Sequence, residues 1–150
     1  PLLPYLKYPH VHLALDPEWA TEKPGKELGS VKAEDINAVQ QIMQRYLEKE
    51  QISGEKILMV HQFNWKMISR LKEVRNDFPQ VVVIHNADGF GTPEEKHKAY
   101  AYLREANNLP FKGLKLFLPK SWRKGGFDVP LFSPAEALSF DPEPILIMYQ

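Results

Sequence analysis

The chain has 150 residues, with 19 Lys or Arg balanced by 19 Asp or Glu, five His and no Cys. That length fits one domain able to bury about 68–70% of the surface its unfolded chain exposes. Zero net charge argues against a strong polyanion binder. The absence of Cys excludes disulfide scaffolds, zinc–thiolate sites, iron–sulfur clusters and thiol nucleophiles, and no apolar run approaches the ~20 residues that span a bilayer.

Five short apolar runs, residues 11–15, 56–63, 81–85, 111–118 and 145–149, are rich in β-branched or aromatic residues and bounded by turn formers. Each predicts a strand. Between them, Ile36, Val39, Met43, Tyr46 and Leu47 recur at helical spacing and predict a first helix. Met67, Ile68, Leu71 and Val74 predict a second. A third opens at Thr92-Pro93-Glu94-Glu95, where Thr92 caps, Pro93 fits the first turn and Glu95 reaches back. Ser133-Pro134-Ala135-Glu136 repeats that chemistry ahead of a short fourth helix.

The order β-α-β-α-β-α-β-α-β predicts about five parallel strands joined by right-handed crossovers through four helices. Two architectures fit: part of a (β/α) TIM-type barrel, whose full form needs ~250 residues, or a five-stranded doubly wound sheet. A doubly wound sheet is covered on both faces, so its central strands should be apolar on both. Alternation instead places His12, Ala14 and Asp16 opposite Val11, Leu13 and Leu15, and Lys115 opposite Leu114 and Leu116. Polar groups on one face favour the barrel, with residues 1–150 as a single unit.

Several blocks then resemble one uncharacterised bacterial family. They are Val11-His12-Leu13-Ala14-Leu15-Asp16-Pro17-Glu18-Trp19, Leu28-Gly29-Ser30-Val31, Val60-His61-Gln62-Phe63, Asp88-Gly89-Phe90-Gly91-Thr92-Pro93 and Gly113-Leu114-Lys115-Leu116-Phe117. The tail Leu131-Phe132-Ser133-Pro134-Ala135-Glu136-Ala137-Leu138, closing with Tyr149-Gln150, is also similar. The resemblance implies a (β/α) barrel loosely related to sugar-processing barrels, and the C-terminal part of a longer, exported, often lipoprotein-type chain. It thus implies a cell-envelope location, with any lipid anchor in a part outside these residues. Residues 119–127 form an insert longer than the family pattern leads one to expect.

In barrels the active site lies at the C-terminal ends of the strands. Here those ends carry Asp16 and Glu18, then His61, Gln62 and Asn64, then His85, Asn86 and Asp88, then Lys115, and finally Tyr149 and Gln150. Asp16, Glu18 and Asp88 are the candidate catalytic carboxylates, since glycosidases pair a protonated carboxyl with a second as base or nucleophile. Trp19, His61, Gln62, His85, Asn86, Lys115, Trp122 and Tyr149 are the candidate ligand-binding residues. Lys115, set in an apolar strand, must pair with an acid such as Asp16 or Asp88, or lose its charge to desolvation. Asp16, His61, His85 and Asp88 offer a carboxylate–imidazole set for a metal, although no H-x-x-x-H spacing supports it. Asp88-Gly89-Phe90-Gly91 lacks the spacing of a nucleotide loop and reads as a tight turn. The basic-aromatic loop at residues 120–127 could stack on a sugar or grip an anion.

The sequence therefore predicts a partial barrel with a carbohydrate-binding or hydrolysing site and no cofactor. A non-catalytic envelope protein is the alternative, and a metal-dependent hydrolase the second. Five strands would leave open edges. Such a sheet should be completed by a missing N-terminal part, a second chain or self-association, with no nucleic acid as partner.

Overall fold

The computed structural model describes residues 1–120 and 125–150. Its main element is a five-stranded parallel sheet built from β1 (Leu13–Leu15), β3 (Lys56–Gln62), β5 (Val81–Ala87), β6 (Lys112–Leu116) and β7 (Leu146–Tyr149). A second, two-residue parallel ladder joins β2 (Val31–Lys32) to β4 (Ile68–Ser69). The helices are α1 (Ala33–Lys49), α2 (Pro93–Arg104) and α3 (Pro134–Leu138). No helix among the described residues is long and apolar enough to cross a membrane.

The strand order β1-β3-β5-β6-β7 follows the chain without reversal. A doubly wound sheet is defined by such a reversal, so that alternative does not describe this sheet. Right-handed crossovers in an unreversed order put the connections on one face. Burial agrees: Leu58, Val60, Val81 and Val83 pack with Ile36, Met43 and Leu47 of α1. Ala87, Leu114 and Leu116 pack with Tyr100 and Leu103 of α2. On the opposite face Ala14 is exposed, and Ile57, Met59, Val82 and Met148 are only partly covered. The sheet is open, with β1 and β7 as its edges, so no closed barrel forms among the described residues.

Both capping signals take the expected form. Thr92 Oγ1 accepts from the Glu95 N–H while Glu95 accepts from the Thr92 N–H, and Ser133 and Glu136 repeat the exchange. In α1, Ala33, Ile36, Gln40, Met43, Gln44 and Leu47 form the buried stripe, at the 3.6-residue period of a packed helix.

The second expected helix is absent. Asn64 Oδ1 accepts from the Lys66 N–H and starts a single 3-10 turn, Trp65–Met67. Arg70 then adopts a left-handed backbone with φ 56°, which a right-handed helix cannot pass through. The spacing of Met67, Ile68 and Val74 reports burial in the core rather than a helical face. Side-chain amides hold this irregular crossover to α1: Asn37 Nδ2 donates to Glu73 O and Gln40 Nε2 to Arg75 O, at 3.0 and 2.9 Å.

Candidate active site

At the C-terminal end of the sheet, polar side chains from four strand ends converge. Asp16 follows β1 and starts the 3-10 turn Pro17–Trp19, which carries Glu18 and Trp19. Gly29 holds that turn. Its N–H donates to Glu18 O at 2.9 Å, and a Cβ there would sit 2.6 Å from Pro17 O, Glu18 O and Ala20 N. Only glycine permits so close an approach.

His61, at the end of β3, is 4% exposed. Its Nδ1 lies 3.4 Å from Asp88 Oδ2 and 3.0 Å from Asn86 Nδ2, while Nε2 lies 3.8 Å from Asp16 Oδ1. Burial lowers its pKa; Asp88 and Asp16 oppose that effect, and Lys115 adds to it. The ring is therefore held toward its neutral form. Asn86 is fully buried and occupies space on β6 that a side chain at Gly113 would take. Lys115 Nζ lies 2.8 Å from Asp88 Oδ1, an ion-pair contact without aligned hydrogen-bond geometry, and 5.0 Å from the centre of the Phe117 ring.

These groups border a cleft of about 470 Å³. Asp16, Glu18, Asp88 and Lys115 supply its charge; Trp19, Phe63, Phe90 and Phe117 supply aromatic walls. Trp19 and Phe90 are 58% and 53% exposed, so their rings are open to a ligand. Glu18 is half-buried, and its Oε2 is shielded from solvent without a hydrogen-bond partner. Burial raises its pKa against the pull of its own backbone N–H, and Asp16 and Asp88 raise it further.

Beneath the cleft, Lys96 and Asp128 form a buried ion pair at 3.3 Å. Lys96 Nζ also donates to Gly89 O, at 2.6 Å, and to Lys115 O. Asp128 accepts from the Gly91 and Phe117 N–H groups at 2.9 and 2.8 Å. One buried pair thus ties the loop after β5, which carries Asp88, to the strand that carries Lys115.

Asp16, Glu18, Trp19, Asp88 and Lys115 meet in the cleft, with His61 and Asn86 packed against them. Lys115 takes the ion-pair role rather than that of a lone desolvated amine. Gln62 and His85 do not join the site. They lie on the helix-covered face, where His85 Nε2 and Gln62 Oε1 are 2.7 Å apart. Burial, helped by Lys112, pushes the His85 pKa down to about 3. His85 therefore does not complete a metal set with Asp16, His61 and Asp88. Tyr149 pairs with Leu116 and shares its helix-side face, whereas Gln150 reaches the cleft. Trp122 lies outside the described residues.

The sequence reading missed Phe63, Phe90, Lys96 and Asp128. An Asp and a Lys separated by a whole strand and loop carry no local signal of pairing. Phe63 and Phe90, however, each adjoin a polar strand-end motif and could have been added to it.

The fold and site together define an unreversed parallel α/β sheet with a carboxylate-lined cleft at its C-terminal end. No family model, curated protein or solved structure matches the chain.

Proposed function

We propose that the cleft binds a carbohydrate and hydrolyses a glycosidic bond by acid–base chemistry. The supporting observation is the unequal treatment of its carboxyls. Glu18 keeps one buried oxygen without a partner, while Asp88 is ion-paired with Lys115. A carboxyl pushed toward its protonated form suits a proton donor, and a paired carboxylate suits the opposite role. Glu18 would protonate the departing oxygen, and Asp16 and Asp88 would form the anionic side that activates water or steadies positive charge on the sugar. Trp19 and Phe90 offer apolar faces for a sugar ring to stack on.

The unreversed strand order and the one-sided helices also favour an open segment of a (β/α) barrel, completed by further strands. The resemblance to exported barrels would place such a protein in the cell envelope.

The test is a panel of soluble oligosaccharides followed in parallel by calorimetry and by release of reducing ends. Turnover that falls by about 100-fold or more in Glu18→Gln, with binding retained, supports the assignment. Binding without turnover in the unaltered protein replaces the enzyme with a recognition module. Failure of every sugar to bind removes the carbohydrate reading altogether.

A further inference from the structure

The anionic side of the cleft has a property that sugar binding does not account for. Asp16, Glu18 and Asp88 bring three carboxyls together, and Lys115 is the cation among the residues lining that cleft. One donor atom each from Asp16, His61 and Asp88 can be chosen so that all three lie within 4.8 Å of one another. Ligands of a tetrahedral ion bound at about 2.0–2.2 Å stand roughly 3.3–3.6 Å apart, so small side-chain movements would close the set.

We propose that Asp16, His61 and Asp88 form a binding site for a divalent transition cation of the zinc or manganese class. One imidazole and two carboxylates match borderline ions better than the all-oxygen shells preferred by calcium and magnesium. Three protein ligands would leave at least one position open toward the cleft, where water or a ligand hydroxyl completes the shell.

An independent observation comes from Asn86. It is fully buried, and its Oδ1 has no hydrogen-bond partner. Its amide already touches His61 Nδ1 through Nδ2, at 3.0 Å. A half-turn of that amide exchanges oxygen for nitrogen. Oδ1 then accepts the Nδ1–H proton, and the Nε2 lone pair, on the side of Asp16, is freed for the ion. Metal-bound imidazoles are commonly held in this way through their second nitrogen. Lys115 holds Asp88 Oδ1, so Oδ2, which lies 3.4 Å from His61 Nδ1, has to swing toward Nε2 to join the ion. The proposal does not rest on the carbohydrate reading.

The experiment is calorimetric titration of the metal-free chain with Zn²⁺, Mn²⁺ and Ca²⁺, without any sugar. One equivalent of Zn²⁺ or Mn²⁺ should bind more tightly than Ca²⁺ and shift the His61 ring resonances. Asn86→Ala should weaken binding by about 10–100-fold, as expected for a group that orients a ligand. His61→Ala should abolish it. Asp16 is 44% exposed at the mouth, so Asp16→Asn should keep the fold while weakening the ion by about tenfold or more. Equal Zn²⁺ affinity in folded Asp16→Asn and in the unaltered chain, Ca²⁺ binding as tight as Zn²⁺, or no binding overturns the site. A positive titration with no sugar bound in the separate panel keeps the cation and discards the sugar.

Discussion

The two ends of the sheet treat their inward-set lysines in opposite ways. At the N-terminal end, Lys56 donates to the carbonyls of Tyr8, Pro9 and Val11, and Lys112 to that of Ala106, without a carboxylate partner among these contacts. At the C-terminal end, Lys96 and Lys115 meet Asp128 and Asp88. Carbonyls hold an ammonium by dipoles alone, which closes the bottom of a sheet without bringing opposite charges together. Carboxylates concentrate opposite charges at the strand ends, where a parallel sheet presents its ligands. The lower end therefore serves stability, and the upper end adds to stability the paired charges on which the proposed chemistry would draw.

The most severe way to break this contrast is Asp128→Ala. It strands a buried ammonium and two backbone donors, and chemical denaturation should show a loss of about 3–5 kcal/mol. The cleft should loosen with it, since Asp88 and Lys115 are both anchored through Lys96.

His85 gives the next effect. Its pKa is about 3 in the fold against 6.5 when unperturbed, so the unfolded chain binds the extra proton between those values. Stability contributed by the neutral ring is complete above pH 6.5 and is lost as pH falls toward 3. Thermal unfolding should record a decline of about 2–4 kcal/mol across that window from this group, and His85→Gln should remove it.

Lys56→Met leaves three carbonyls without their shared donor and should cost about 1–3 kcal/mol in the same denaturation assay. Lys112→Met should be milder, within about 1 kcal/mol, because one carbonyl loses its donor while a buried charge disappears. Burial lowers the Lys112 pKa from 10.5 to about 8. The unfolded chain therefore binds more protons in that interval, and stability should rise with pH from about 8 to 10.5. Loss of that rise in Lys112→Met would confirm the source; its persistence would place it elsewhere.

Much of this organisation can be read from the chain. Strands appear as apolar runs because each buries a face, and Thr92 and Ser133 announce their helices because their hydroxyls bond locally. The strand ends also reveal where polar groups gather. They do not reveal which face each group takes when both faces are polar. Alternation assigns His61 and Asn86 to one side and Gln62 and His85 to the other, yet all four look alike as strand-end residues. The crossover from Trp65 to Glu73 misleads for a related reason. Its apolar spacing records contact with α1, and the left-handed Arg70 that breaks the helix has no distinctive sequence sign. The Lys96–Asp128 pair is invisible because only the tertiary fold brings it together.

The unreversed strand order also bears on how the chain reaches this state. Val81 pairs with Lys56, Lys112 with His85, and Leu146 with Gly113, so each new strand joins the one that precedes it in the sheet. No strand has to be inserted between two that are already paired. A chain emerging from its N-terminus can therefore lengthen the sheet in one direction, each ladder serving as the template for the next. β7 then arrives last, and with its arrival Gln150 comes to the margin of the cleft.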